Sequence, residues 1–165
     1  TPSDTGPALV ALEAEMVISR NGKSRTVSAE KFFIGPAIDI TRMTVLEKGD
    51  ILTEIRVPKK WAGATQYFEK VADREAWDFA LVNIAMVAKV SGGKVSDVRM
   101  ACGGVQCTPR RLTNVESLMK GEKVGSEMET LAKRVAARGA KALNYNHFKI
   151  PLMGSLAARA VRSLA

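Results

Sequence analysis

The alternation of apolar and polar positions predicts a first group of β-strands in the N-terminal part of the chain. An apolar run at residues 7–13 predicts a short helix. Asn21-Gly22 stands between two strand-like runs and predicts a hairpin, since both turn positions need positive φ. One turn of helix is expected at residues 28–33. The run at 51–57 predicts a strand that ends at Pro58, because proline has no N–H to donate to a sheet ladder.

The following residues predict an antiparallel meander. Trp61 is followed by small, flexible residues, which places the boundary between two units there. Strands are expected at residues 66–71, 79–90 and 95–105, and Gly92-Gly93 turns the chain between the last two.

Three helices are expected to close the chain. Thr113-x-x-Glu116 and Ser126-x-x-Glu129 fit the capping box, in which two side chains satisfy unpaired N–H groups of the first turn. Gly121 and Gly139 stand where helices end. An apolar stripe over residues 152–164 predicts the third helix.

These elements predict an α+β fold. A small antiparallel sheet with short helices is expected over residues 1–60, and an antiparallel meander with C-terminal helices over residues 61–165. The longest mainly apolar run, at 79–90, is shorter than the about 20 residues that span a bilayer, so no membrane span is expected.

The net charge of +8 lies almost entirely in the last part of the sequence. Residues 1–104 hold fourteen Lys and Arg against thirteen Asp and Glu, whereas residues 105–165 hold eleven against four. A basic segment can bind nucleic-acid phosphates, but the only aromatic stacking partners there are Tyr145 and Phe148. A solvated helix face, or one that meets an acidic partner subunit, is therefore favoured over a nucleic-acid site.

The cysteines and the histidine indicate no metal chemistry. Cys102 and Cys107 are too few for a disulfide framework, and they form no zinc or iron–sulfur signature. They are interpreted as reduced thiols, and His147 as a structural or exposed residue.

A charged segment interrupts the strand pattern between Phe68 and Phe79. It holds far more charge than a strand needs to stay soluble, with Glu69, Lys70, Asp73, Arg74, Glu75 and Asp78. Such a segment between two strands is typical of a loop held in a fixed place, and fixed loops often carry function.

Four stretches, in their order and spacing, point to a family. They are Thr1-Pro-Ser-Asp4 before a short helix, Phe32-Phe33-x-Gly35-Pro36, residues 49–80 with the strand, its proline and the charged loop, and Val98 to Val105 followed by Pro109-Arg110-Arg111. Together they resemble the FAD-binding medium subunits of molybdenum hydroxylases, a family that includes xanthine dehydrogenase and carbon monoxide dehydrogenase. The resemblance covers nearly the whole chain.

The resemblance implies a division into domains. Residues 1–60 are expected to be the second half of the FAD-binding domain, and residues 61–165 the flavoprotein C-terminal domain. Subunits of the family begin with two glycine-rich loops that hold the FAD pyrophosphate, and nothing of that kind precedes Ser3-Asp4. The chain is expected to be the C-terminal part of such a subunit and to bind FAD weakly or not at all by itself.

Three residues match family positions that contact the flavin. The lysine matched by Lys70 would stabilise the negative charge that a reduced flavin develops. Asp4 matches an aspartate that contacts FAD, and Leu52 a leucine that packs beside the ring. The residues alone leave alternatives open: Lys70 as a surface lysine paired to Glu69 or Asp73, Asp4 as a helix N-terminal residue, and Leu52 as a core residue.

Arg74, Trp77 and Asp78 match a loop on the electron-acceptor side of the ring. In members that use NAD, the nicotinamide approaches along this loop. The alternative is an internal Arg74–Asp78 ion pair that shapes the loop. Many relatives carry a smaller or polar residue in place of Trp77, so this residue is expected to cover the flavin or to change which acceptor approaches.

The resemblance implies a cytoplasmic complex in which electrons pass from iron–sulfur clusters through FAD to NAD or another acceptor. The molybdenum cofactor and the 2Fe-2S clusters belong to a large and a small partner subunit, and a further partner is the half that carries the flavin loops. Two alternatives remain: a non-catalytic interaction module with the same fold, and a basic nucleic-acid-binding domain.

Overall fold

A small antiparallel sheet forms the first part of the protein. The computed structural model describes residues 3–165, so Thr1 and Pro2 of the first family stretch lie outside the described residues. The sheet has the strand order β2-β1-β3. Its elements are helix α1 (Thr5–Ala11), β1 (Glu15–Arg20), β2 (Lys23–Ser28), helix α2 (Ala29–Phe32) and β3 (Ile51–Arg56). Asn21 and Gly22 both have positive φ, so the predicted hairpin is confirmed.

The second sheet is the predicted meander, with the order β4-β5-β6-β7. Its strands are β4 (Thr65–Val71), β5 (Val82–Ser91), β6 (Lys94–Gly103) and β7 (Arg110–Arg111), and helices α3 (Thr113–Met119), α4 (Ser126–Ala136) and α5 (Lys149–Arg162) follow. β7 was not predicted. β5 begins three residues later than predicted, because Leu81 N–H closes the loop on the Val71 carbonyl at 2.8 Å.

The meander is the middle layer of the molecule. One face of β5, with Val82, Ile84 and Met86, packs against α3, α4 and α5 in one apolar cluster. The other face, with Ala85 and Val87, packs against α1, β1 and Trp61 in a second cluster. The two predicted units therefore share a core, and α1 lies directly on the sheet of the second unit.

The predicted helices are present, but their starts differ from the prediction. The N-cap positions fall on Leu112 and Gly125, and neither makes a side-chain cap hydrogen bond, so both predicted capping boxes are wrong. The acidic side chains have tertiary partners instead. Glu116 binds Arg111 and a backbone N–H of β6, and Glu129 binds Arg162 of α5 at 2.8 Å. A charged tertiary partner outcompetes a local main-chain contact.

The helix ends agree with the sequence. Gly121 and Gly139 both have positive φ just beyond α3 and α4. Leu156 and Ala160 of the predicted stripe on α5 are buried, and Arg159 and Arg162 lie outside it in ion pairs. In residues 3–165, no helix has the length and apolar character that crossing a bilayer requires.

Candidate functional site

An open cleft of about 520 Å³ lies between the start of α1 and the loop that joins β4 to β5. Its lining contains five of the six predicted site residues together with Phe79: Asp4, Lys70, Arg74, Trp77, Asp78 and Phe79. A cavity of about 660 Å³ opens at the start of α4, and its lining holds no residue predicted for the site.

Lys70 lies on β4 and points its ammonium group toward α1. Its Nζ donates to Asp4 Oδ2 at 2.8 Å and to the Asp78 carbonyl at 2.6 Å. An ammonium has three donors, so in the described contacts one N–H is left for an acceptor in the cleft. The side chain is only 26% exposed, which favours a fixed position over a mobile surface lysine.

In the described contacts, Lys70 pairs with neither Glu69 nor Asp73, the alternative partners considered from the sequence. Glu69 lies on the opposite face of β4, where it accepts hydrogen bonds from Tyr67 and Arg159. Burial, together with the neighbouring Glu69, raises the pKa of Tyr67 to about 12. The two faces of β4 therefore carry separate charge clusters, and Lys70 belongs to the cluster at α1.

Asp4 stands at the N-cap of α1 but does not cap it. Ser3 Oγ accepts the Gly6 N–H at 3.0 Å, while the Asp4 side chain makes no cap hydrogen bond. Because Ser3 satisfies the helix start, the Asp4 carboxylate is available to Lys70. Its Oδ1 lies 3.5 Å from Nδ2 of Asn83, the long end of a hydrogen bond.

Asp78 closes the loop through main-chain groups. Its Oδ2 accepts the N–H groups of Asp73 and Arg74, both at 3.0 Å. Donation by the N–H of Arg74, with those of Phe79 and Asp73, lowers the pKa of Asp78 below its ordinary value. The Arg74 guanidinium donates to the Trp77 carbonyl at 2.7 Å, so both ends of the loop are tied, though not by the direct side-chain ion pair considered above.

Two aromatic rings at the border of the cleft are exposed to solvent. Trp77 is 96% exposed and has φ +55, and Phe79 is 72% exposed. A non-glycine residue at positive φ stores strain of about 1 kcal/mol or more, and such residues cluster at functional sites. The strained backbone and the exposed ring together make this loop a candidate contact surface.

Gly104 holds the far end of the loop close to β6. It has φ +78, and a Cβ there would lie 2.7 Å from the Leu81 carbonyl oxygen and 2.9 Å from that of Ala80. Only glycine permits this approach, which explains the glycine at the end of the predicted strand.

Leu52 is not part of the cleft lining. It lies on β3, opposite Ile18 of β1, and packs half-buried against the cluster that contains α1. Its contact with a flavin ring stays a prediction. Asn83 was missed by sequence reasoning, and its one signal was a polar residue inside a strongly apolar strand.

The cleft has the chemistry for a planar aromatic group with an electronegative edge. Exposed aromatic rings can lie against such a group, and the free N–H of Lys70 can meet its edge. An isoalloxazine ring fits this donor set. Within residues 3–165, no group of three or more His, Cys, Asp or Glu side chains is placed to hold a metal ion.

Comparison with known families divides the chain into two matched segments. Residues 1–60 match the FAD binding domain in molybdopterin dehydrogenase, and residues 66–164 match the CO dehydrogenase flavoprotein C-terminal domain. Asp4 comes from the first segment and Lys70 from the second, so the cleft lies where the two segments meet.

Two curated proteins are similar to this chain. It is 34% identical to the glyceraldehyde dehydrogenase medium chain of Sulfolobus acidocaldarius over 142 residues, which is 86% of this chain and 47% of the relative. It is 36% identical to the carbon monoxide dehydrogenase medium chain of Hydrogenophaga pseudoflava over 122 residues, 73% of this chain and 40% of the relative. The chain thus spans about half the length of these relatives.

A solved structure has the same architecture. A chain of carbon monoxide dehydrogenase from Hydrogenophaga pseudoflava superposes with a TM-score of 0.84 at 30% identity, covering 98% of this chain and 55% of that one. The predicted α+β fold is confirmed by this match and by the two sheets. The chain belongs to the family of FAD-binding medium subunits of molybdenum hydroxylases.

Proposed function

We propose that this chain is the C-terminal part of an FAD-binding electron-transfer subunit and that its cleft holds one side of the isoalloxazine ring. The observation that carries the proposal is the position of Lys70: an ammonium fixed by Asp4 and by the Asp78 carbonyl, with one N–H left for the cleft. Asp4 and Leu52 are proposed as further flavin contacts, in agreement with the family resemblance.

Bound FAD would supply the electron exchange. The contribution of this chain is electrostatic. Because Lys70 is already positioned, its charge can stabilise negative charge at the edge of the ring without reorganisation. Asp4 keeps the ammonium in place, and its own negative charge limits how far the site favours an anion.

The loop at 72–79 is proposed as the side from which an electron acceptor approaches. Arg74, Trp77 and Asp78 lie on it, and the exposed Trp77 ring is the part an incoming acceptor meets. NAD and other acceptors are both compatible with this arrangement. A large ring at this position is expected to narrow the choice of acceptor.

The proposed partners are the rest of the FAD-binding subunit, an iron–sulfur small subunit and a molybdenum-cofactor large subunit. The basic end of α4 is a candidate docking face. No Asp or Glu follows Glu129 in the sequence. In the described residues no ion pair or hydrogen bond involves the charged groups of Lys133, Arg134, Arg138 and Lys141 there. An acidic protein surface would neutralise them.

The flavin proposal is tested by Lys70→Met in the complex that contains this chain and its partners. Loss of a charge-assisted contact is expected to raise the Kd for FAD about tenfold or more. The measurement is titration of the flavin-depleted complex with FAD. Lys23→Met, at the exposed hairpin of the first sheet, is the matched control and should leave the Kd unchanged. The proposal is contradicted if the wild-type complex binds no FAD, or if Lys70→Met and the wild type have equal Kd values for FAD.

Docking is tested by reversing the charge of Lys133, Arg134, Arg138 and Lys141 to glutamate. Partner subunits are then expected to dissociate at lower salt, because exposed charge attraction is screened by ions. The measurement is co-purification across a salt gradient. Binding of a labelled DNA duplex by the wild-type complex at physiological salt, with unchanged co-purification of the variant, would favour the nucleic-acid alternative.

A further inference from the structure

Asn83 is a buried polar residue on the face of the meander that α1 covers. It is 1% exposed. In the sheet register it stands opposite Lys70 of β4 on one side and Gly103 of β6 on the other. The next inward positions on the same face are Ala85 and Val87, which pack in the apolar core. Asn83 is therefore a buried polar group that lies beside Lys70, behind the residues that line the cleft.

The orientation of the Asn83 amide follows from its neighbour. A carboxylate accepts hydrogen bonds only, so the amide presents Nδ2 to Asp4 Oδ1, at 3.5 Å. Oδ1 then points away from Asp4, and it is the one buried side-chain polar atom of residues 3–165 without a hydrogen-bond partner. Burial of an unpaired acceptor costs stability. The contact with Asp4 is the one side-chain hydrogen bond of Asn83 among the described residues.

Gly103 provides the space that this arrangement needs. A Cβ on Gly103 would lie 2.4 Å from Asn83 Oδ1 and 2.9 Å from Pro7 Cγ. The missing side chain thus admits both the amide and the first turn of α1, which carries Asp4. Three elements, β5, β6 and α1, are fitted together at this point.

We infer that Asn83 is a positioning residue that acts on the flavin site through Asp4. The inference rests on the proposed function, that the cleft holds the flavin ring. Asp4 is 47% exposed, so without a partner behind it the carboxylate can turn into solvent. Lys70 would then keep the Asp78 carbonyl as a partner but lose the carboxylate that directs its ammonium toward α1. Asn83 keeps the Asp4 carboxylate directed inward and thereby keeps Lys70 in place.

The test compares Asn83→Leu, Asp4→Ala and the double variant in the intact complex. Asn83→Leu replaces the amide by an apolar group of similar shape and removes the unpaired acceptor. We expect its unfolding temperature to equal or exceed that of the wild type, whereas its Kd for FAD rises about fivefold. The flavin midpoint potential should shift in the same direction in Asn83→Leu and Asp4→Ala. The double variant should bind FAD no more weakly than Asp4→Ala, because Asn83 acts through Asp4.

Two further variants keep the test decisive. Asn83→Ala introduces a smaller side chain that the site accommodates, and it should show the same Kd increase if Asn83→Leu fails to fold. Asn114→Leu, the same change on the exposed surface of α3, should leave the Kd and the potential unchanged.

The outcomes separate the two proposals. If the Kd increases of the two single variants multiply in the double variant, Asn83 does not act through Asp4. A wild-type Kd in both Asn83 variants, together with a raised Kd in Asp4→Ala, would also overturn the role of Asn83. Either result leaves the flavin proposal intact. A wild-type complex that binds no FAD would overturn both.

Discussion

Glu116 and Asn83 are the two polar residues of residues 3–165 that are buried as whole residues, and the fold treats them in opposite ways. Glu116 lies between α3 and β6, where its carboxylate accepts from the Met100 N–H at 3.0 Å and from Arg111 at 2.9 and 2.8 Å. Asn83 has one long contact and an unpaired oxygen. The buried polar group between α3 and β6 has all its hydrogen bonds, whereas the one beside the cleft has only part of them.

The same contrast separates the two sides of the meander. On the helix side, Glu116 is fully hydrogen-bonded beside the apolar cluster that the helices form with the meander. On the α1 side, Lys70 retains a free N–H, Trp77 carries backbone strain and its ring is exposed. The free N–H of Lys70, the strained backbone of Trp77 and the exposed rings of Trp77 and Phe79 lie around one cleft, and such features are common at binding sites.

The largest expected effect is that of Glu116→Ala. It leaves Arg111 and the Met100 N–H without their buried partner, which should lower the free energy of unfolding by about 3 kcal/mol. Chemical denaturation measures this change. The exposed Glu122→Ala is the control and should stay within about 0.5 kcal/mol of the wild type. If Asn83→Leu destabilises the protein as much as Glu116→Ala, the contrast between the two residues fails.

Gly104→Ala should have the next largest effect. The new Cβ meets the Leu81 carbonyl at 2.7 Å and also occupies a positive φ, so the free energy of unfolding is expected to fall by about 2 kcal/mol or more. Gly93→Ala is a matched control, because Gly93 has φ +74 with no atom within 4 Å of the added Cβ. The difference between the two variants measures the steric contact alone. Equal losses would mean that Gly104 is present only for its backbone conformation.

The smallest effect is a pH dependence of the loop at 72–79. The pKa of Asp78 is lowered in the folded protein by main-chain N–H donation from Arg74, Phe79 and Asp73. The stabilisation is therefore present above the ordinary carboxyl pKa of about 4 and is lost as the pH falls through the lowered value. Hydrogen exchange at the Asp73 and Arg74 amides should accelerate in acid relative to the amides of β4. Asp78→Asn should remove most of this pH dependence, and unchanged protection of both amides in acid would contradict the account.

Local signals in the sequence predicted the elements well. The Asn21-Gly22 hairpin, the meander strands and the C-terminal helices depend on turn residues and periodicity, which act within a few positions. The capping boxes failed because both glutamates have charged partners outside their own helix: Glu116 pairs with Arg111 on β7, and Glu129 pairs with Arg162 of α5. The two-residue strand β7 has too few residues to show any periodicity.

The candidate site was predicted in part. The charge pattern predicted the fixed loop, the family resemblance added the roles of Asp4 and Lys70, and the fold brings these parts together. Leu52 was grouped with them and lies on the other sheet. Asn83 was not selected, since a single polar residue within an apolar strand does not show what stands opposite it.

The sequence by itself determined the two sheets, the order of the elements, the fixed charged loop and the family, because each depends on residues close together in the chain or on motifs in order. Only the tertiary structure decided that α1 lies on the meander and that Ser3 takes over the cap of α1. It also decided that the Lys70 ammonium meets the Asp4 carboxylate. That contact joins residues 66 positions apart in the chain, and no local pattern encodes such a distance.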